Sequence, residues 1–531
     1  MKKTGQKNTV NVIGGGLSGL FAAMTLAEND VPCRLISSQP SERAQSVLAE
    51  GGINAALDTM GENDSVTEHF NDTMKGGCFL ESEKAVKALT DNAPDIVERL
   101  VRLGVPFNSE NGRLILRNFG GQKKKRTAFA KSSTGKIIMT ALIDEVRKYE
   151  ACGLAERFPH HELINIVSEN GILKKITVRD TFTGEIFSCG GTTILCTGGL
   201  NGFFEGFTTG TSQNTGNAAA IAFRAGAELT NLEFIQYHPT TIGICGKRML
   251  VSEAARGEGG RLYIERDGKP WYFMEEKYPE LKNLMPRDVV SREMFFAKRE
   301  YGGEVHLDMT GIADSVWKHR LSDLRDEIIS YIHLDPKTVP IPVSPGIHFF
   351  MGGIRTDITH KTNIEGLYAA GEAAGKYHGA NRLGGNSMLG ALFGGRTAAL
   401  SAAKNALGSY FIREKAAAVS VSSPEIRLKT RDILLSGLGI VRNETELCEA
   451  LHKLNELSRE KGIGGMDKSR LELGKAMLIS AIERKESRGA HCRSDYPETK
   501  PEYQRHSIAC FKNGNITHYF DDIKKGAEDK K

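Results

Sequence analysis

The chain has 531 residues, 40% of them hydrophobic and 25% charged, with a formal net charge of +5 at pH 7. That length calls for two to four lobes and leaves room to enclose a cofactor. No apolar run approaches the roughly 20 residues a membrane helix needs, and the densest basic run, KKKR at 123–126, lacks the interleaved aromatics of a nucleic-acid platform, so direct membrane insertion and nucleic-acid partners are both excluded. The basic start, MKKTGQKNTVNVIGGG, enters a glycine loop and meets no small-residue cleavage site, which makes a cytoplasmic protein the expectation. The nine cysteines are scattered with no C-x-x-C among them, so neither zinc nor an iron–sulfur cluster has its usual ligand spacing and no metal site is expected.

In chain order, TVNVIGGGLSGLFAAMTLAEND predicts a strand, a glycine turn and an alanine-rich helix. It carries G-x-G-x-x-G at Gly14, Gly16 and Gly19, a pattern that permits a tight turn and lets helix-start N–H groups approach a pyrophosphate. The next strand, CRLIS, ends at Ser37, where such fingerprints usually place an acid for the ribose. A second glycine block, TTILCTGGLNG, brings Gly198 and Gly199, and two such blocks suit a large dinucleotide such as FAD, gripped from several loops. Residues 234–344 have a different texture and read as an inserted domain closing over the cofactor. Within it, SEAARGEGG sets Glu253 and Arg256 three apart, on one face of a helical turn, where a carboxylate and a guanidinium pair and can pass a proton. A third glycine block follows, from GLYAAGEAAG through HGANRLGGNS into another helix. Beyond residue 405 apolar residues recur at three and four spacing, as in a small helical bundle, and the polar segment from Tyr496 to the final KKGAEDKK is expected to fray.

Taken together, AEGGINAAL (49–57), NFGGQ (118–122), EFIQYHPT (233–240), SEAARGEGG, PRDVVSR (286–292), HFFMGGI (348–354), HGANRLGGNS (378–387) and RGAHCRSDYPE (488–498) give a chain that resembles, over nearly its whole length, the flavoprotein subunit of the succinate dehydrogenase and fumarate reductase family, which includes L-aspartate oxidase. The resemblance implies an α/β fold: a Rossmann-like FAD-binding domain (1–233 and 345–405), an inserted α+β capping domain (234–344), a helical domain (406–490) and a C-terminal tail (491–531). It implies a C4 dicarboxylate held over the flavin, with Arg382 as carboxylate clamp, His238 and His348 as donors, Ser252 where relatives often have Thr, and Phe119 at the substrate. Arg287 of PRD matches the proton donor, and Glu253 and Arg256 match the relay that reprotonates it. For the cofactor, Gly14, Gly16, Gly19, Gly51, Gly52, Glu372, Asn386 and Ser387 match FAD contacts, and Asn217 stands where many relatives have Asp.

Two departures matter. Membrane-bound relatives link FAD covalently to a histidine in S-H-T-V-A-A-(Q/E)-G-G, and Gln45 occupies that position in Ala44–Gly52. An amide cannot form the bond, so noncovalent FAD is expected. With no cysteine cluster in the chain, electrons must come from a separate donor, an iron–sulfur subunit or a soluble reductase. The activity implied is reduction of fumarate to succinate or the reverse. The alternatives are an L-aspartate oxidase-like activity, which Phe119 disfavours because that enzyme has an acid there for the substrate amine, and reduction of a related unsaturated dicarboxylate.

Overall fold

The computed structural model describes residues 8–131, 133–414 and 422–522. Five short strands form a parallel sheet in the order Leu367–Ala369, Thr193–Leu195, Val10–Ile13, Cys33–Ser37 and Ala155–Pro159. The runs VNVI and TIL are buried throughout, as β-branched and apolar residues must be in a parallel sheet covered on both faces. The helix Leu17–Glu28 is buried along almost its whole length and packs on Asn386–Lys404 and Thr134–Ala151. Small residues allow the close approach: a Cβ built at Gly395 would lie 2.3 Å from the Ser18 carbonyl oxygen.

The insertion leaves this layer at Ile235–Ile244 and returns along Ile341–Phe350. These two legs pair antiparallel, with Ile235 opposite Phe350, as the second and third strands of a six-stranded sheet with a core of its own around Ile242, Leu262, Val290, Met294 and Leu307. The helix Arg287–Tyr301 lies against the outgoing leg. The fold is thus α/β, with a dinucleotide sheet and a separately cored insertion meeting at a seam.

Three helices follow, Pro424–Gly437, Glu444–Leu457 and Gly465–Glu483, packed through Leu434, Leu447, Leu454 and Leu471. Ser423 and Asn443 cap the first two by accepting from Ile426 N and Glu446 N. A buried ion network fastens this bundle to Glu233, just before the insertion's outgoing leg. Arg484 Nε donates to Glu233 Oε1 at 2.6 Å and Nη1 to Glu486 Oε1 at 3.0 Å, while Arg442 Nη1 contacts His491 Nδ1 at 2.9 Å.

The segment after Tyr496 departs from expectation. It folds into a hairpin, Arg505–Lys512 with Asn515–Asp522, that joins Leu229–Thr230 and Gly353–Ile354 in a four-stranded sheet. Ile508 and Ala509 are buried there, and that burial outweighs the segment's polarity. The terminal KKGAEDKK lies outside the described residues. The KKKR run is structural: Arg126 is fully buried at 3.0 Å from both Asp64 and Asp72, and Lys125 pairs with Glu62. Among the described residues no helix is long and apolar enough to cross a membrane.

Candidate active site

A cavity of about 860 Å³ runs from the end of the parallel sheet to the seam with the insertion. Its sheet end is made largely of backbone. Gly14 turns the chain out of the first strand at φ +113°, and a Cβ there would sit 2.2 Å from the Cys196 carbonyl oxygen, so no side chain fits. Gly19 stands behind the wall, packed so tightly that a Cβ would meet the Gly14 carbonyl oxygen at 1.8 Å. Gly16, Gly51, Gly52 and Gly198 line the cavity, as does Ser37, whose hydroxyl donates to the Gln39 carbonyl at 2.7 Å. Gly199 lies off the wall, and its missing side chain leaves room for Glu372, whose Oε1 would be 2.4 Å from a Cβ.

Three helices begin on this wall, at Leu17, Asn217 and Asn386, each with a glycine N-cap and no side-chain cap bond. Their first N–H groups, with the positive end of each helix dipole, suit anionic and polar cofactor atoms. Ser387 and Asn217 are part of this wall. Asn386 is not: it is fully buried, its Oδ1 accepting from Asn54 Nδ2 at 2.7 Å and its Nδ2 donating to Thr73 Oγ1 at 2.9 Å, so it braces the helix start from behind. Burial raises Glu372 to about 7, and its Oε1 accepts from Phe350 N at 3.0 Å, at the end of the strand that carries His348. An elongated dinucleotide with a pyrophosphate fits this cradle. Gln45 lines it as well, with Oε1 accepting from Thr211 N at 2.5 Å.

The seam end is built from buried charge. Ser252, on the wall, caps the short helix Glu253–Gly257. Glu253 Oε2 accepts two bonds from Arg287, from Nη2 at 2.6 Å and Nε at 2.9 Å, and Oε1 accepts from Gly120 N at 2.9 Å. Arg256 Nη2 lies 3.4 Å from the same Oε1, and its Nη1 donates to the Asn283 carbonyl at 2.6 Å. Burial pushes the Glu253 carboxyl up, but Arg287, Arg256 and these hydrogen bonds outweigh it and hold the group below its ordinary range, ionised. Arg256 itself is enclosed, with no exposed side-chain surface, and stands behind the wall.

Facing this chain of groups, Arg382 reaches the cavity from the loop before Asn386, its guanidinium 4.3 Å over the Phe349 ring. Burial, then the Arg287 charge, holds it well below the arginine range. His238 and His348 come from the paired legs and stand with ring centroids 5.2 Å apart. Burial and the neighbouring arginines hold both imidazoles well below their ordinary range, hence neutral. Thr209 Oγ1 meets His348 Nδ1 at 2.7 Å and the Thr240 carbonyl lies 3.2 Å from His238 Nδ1, so each ring is held by one nitrogen. Phe119, buried, closes the floor against Gly51 and Gly384.

Sequence reasoning did not single out Gln236, which bonds to both Arg287 and Arg382, or Thr209. Gln236 lies two residues before His238 on the same strand, and period-two alternation aims both at one face.

A dinucleotide cradle opening onto a buried cluster of arginines, histidines and one ionised glutamate defines an FAD-binding oxidoreductase. Residues 9–388 match the FAD binding domain family and residues 467–524 the fumarate reductase flavoprotein C-terminal family. The succinate dehydrogenase flavoprotein subunit of Bacillus subtilis is 36% identical, covering 93% of this chain and 92% of that one. A fumarate reductase (CoM/CoB) subunit of Methanothermobacter marburgensis is 34% identical over 93% and 96%, and L-aspartate oxidase of Streptomyces coelicolor 32% over 92% and 89%. A solved quinol-fumarate reductase superposes with a TM-score of 0.85 at 27% identity, covering 97% of both chains. The chain belongs to the succinate dehydrogenase and fumarate reductase flavoprotein family.

Proposed function

We propose that the chain reduces fumarate to succinate, with the reverse reaction slower, on noncovalently held FAD. The observation that carries this reading is the meeting, at one end of the cofactor cavity, of Arg287 on ionised Glu253 with Arg382, His238 and His348. FAD held in the cradle and reduced by the electron donor would supply the hydride for one alkene carbon. Arg382 clamps one carboxylate with a planar fork, and the two histidines offer their free ring nitrogens to the substrate's polar ends. Arg287 gives a proton to the other alkene carbon, so the double bond gains one hydride and one proton. As Arg287 loses its proton, Glu253 accepts one from Arg256 and passes it to Arg287, and Arg256 takes its own from solvent. A guanidinium is a weak acid, with an ordinary pKa above ~12, and turns over here only because a proton relayed through the carboxylate bonded at two of its nitrogens restores it. Phe119 offers an apolar ring where L-aspartate oxidase needs an acid, which favours a substrate without an ammonium group.

Gln45 cannot link to the flavin, so acid precipitation is expected to release the yellow cofactor into the supernatant; fluorescence on the denatured chain would contradict this. Without an electron-withdrawing covalent bond the flavin sits at lower potential, a stronger donor, which is why reduction is expected to dominate. Electrons arrive from a separate protein, an iron–sulfur subunit or a soluble reductase, consistent with relatives named as subunits. The deciding experiment reduces the flavin without oxygen and follows its reoxidation by fumarate and by other unsaturated dicarboxylates, while a parallel arm supplies oxidised enzyme with L-aspartate and oxygen and follows peroxide formation. Both directions are then timed on one preparation, with a low-potential viologen as donor and a high-potential dye as acceptor. Succinate oxidation as fast as fumarate reduction would reverse the assigned direction.

A further inference from the structure

Gln236 is fully buried on the leg Ile235–Ile244 and stands behind the cavity wall. Its Oε1 accepts from Arg287 Nη1 at 3.2 Å and from Arg382 Nη2 at 3.0 Å and Nε at 3.3 Å. Its Nε2 donates to the Arg382 carbonyl at 2.9 Å and to Asn381 Oδ1 at 2.8 Å. Asn381 in turn donates from Nδ2 to Asp288 Oδ1 at 2.9 Å, next to Arg287. The amide orientation is therefore fixed: a flip would set NH₂ against two guanidiniums and the oxygen against two acceptors.

We infer that Gln236 is the positioning residue that sets the proton donor and the clamp at their working separation while withholding negative charge from them. The inference rests on the roles proposed above for Arg287 and Arg382. Residue type decides between an amide and an acid at this point. Two guanidiniums converging on one buried oxygen repel each other, and a carboxylate would satisfy them best in isolation. The chain uses an amide. Three guanidiniums meet here, Arg256, Arg287 and Arg382, and Glu253 neutralises one of them. A second carboxylate would cancel the positive charge that a dicarboxylate dianion must find, and would hold the Arg287 proton more firmly. The other carboxyls facing the group are spoken for: Asp288 is turned to Asn381, and burial raises Glu372. One carbonyl oxygen with two lone pairs cannot serve three N–H donors fully, so part of this donor capacity is free to transfer to an incoming carboxylate.

The test uses FAD-loaded full-length protein. Malonate, an unreactive dicarboxylate, is titrated by flavin absorbance, and fumarate reduction is measured in parallel between pH 6 and pH 8. Gln236→Glu, nearly isosteric, is expected to weaken malonate binding at pH 8 at least about tenfold and to lower kcat, because like charge is set against the dianion. The loss persists at pH 6, because the two flanking guanidiniums hold the introduced carboxyl ionised. Gln236→Met keeps the volume but removes the acceptor, so kcat is expected to fall more than malonate affinity. If the glutamate variant loses flavin or fails to fold, the methionine variant decides, and a wild-type kcat there overturns the inference. Wild-type malonate affinity in Gln236→Glu at pH 8 with full flavin content also overturns it, while leaving the fumarate reading intact. A wild-type protein that neither binds malonate nor reoxidises with fumarate overturns both.

Discussion

The two ends of the cavity are built on opposite plans. The cofactor end is backbone: glycines with no room for a Cβ and three helix starts without side-chain caps. The seam end is side chain: Glu253, Arg256, Arg287, Arg382, Gln236 and His238, all buried, with His348 half-buried, and each meeting a partner distant in sequence. A backbone site grips a large ligand through shape and fixed dipoles and has no group that changes protonation in its work. A site of buried ionisable side chains can move protons, but each member depends on its neighbours to remain charged. The difference teaches that binding and chemistry should fail separately.

The sharpest way to break that separation is Gly14→Ala. The added Cβ collides with the Cys196 carbonyl and cannot adopt φ +113° without strain, so the protein is expected to purify without flavin and with no activity, read as the flavin-to-protein absorbance ratio. Arg287→Lys keeps the charge but loses the planar fork. It is expected to retain full flavin and lose about 10³-fold in kcat, the scale of positioned acid catalysis. Retained fumarate turnover would remove Arg287 from the acid role, and Glu253→Gln should reproduce a smaller part of the same loss, because an amide cannot relay a proton. Arg382→Ala sharpens the comparison from the binding side. Breaking a buried charge contact costs about 3 kcal/mol, roughly a hundredfold in the apparent substrate constant, while flavin content is unchanged.

The smallest effect tests what the two ends share. His69, whose Nε2 meets Asn386 Oδ1 at 3.0 Å behind the cofactor wall, and His378, just before the Arg382 loop, are each lowered by burial to about 3. Unfolded, they titrate near ~6.5. Between those values the unfolded chain binds protons that the native state refuses, so stability is full above pH 6.5 and declines as pH falls toward 3, by at most about 1.4 kcal/mol per pH unit for each ring. Thermal midpoints recorded from pH 7.5 to pH 5 should drop, and His378→Gln should flatten the slope without touching flavin content at pH 7.5.

This division also explains what the sequence makes legible. The cofactor end is legible because its signal is local: Gly14 and Gly16 sit between a strand and a helix, and Gly19 in that helix's first turn, within ten residues. Glu253 and Arg256 are legible for the same reason, sharing one helical turn. Gln236 escapes such reading because its meaning lies in contacts with residues 51 and 146 positions away, which no local pattern shows. The motif around Asn386 points it at the wall, whereas its amide is used up by Asn54 and Thr73. The C-terminal hairpin carries a local sign that polarity obscures: Asn513 and Gly514 both have positive φ, the Asn-Gly pair that closes a two-residue hairpin.

That hairpin also sets an order of assembly. Arg505–Lys512 lies beside Leu229–Thr230, which in turn pairs with Gly353–Ile354, so the strands just before and just after the insertion share one sheet with nearly the last residues described. A ribosome delivers the glycine loop well before this clasp. Until it arrives, the two roots of the insertion pair with each other alone and the far edge of Leu229–Thr230 stays bare. A sheet joined across such sequence distance is slow to close and exposes strand edges while it waits. A stop codon just before Arg505 would therefore act on a region more than two hundred residues upstream, yielding protein that loads flavin poorly although every residue named in the site is present.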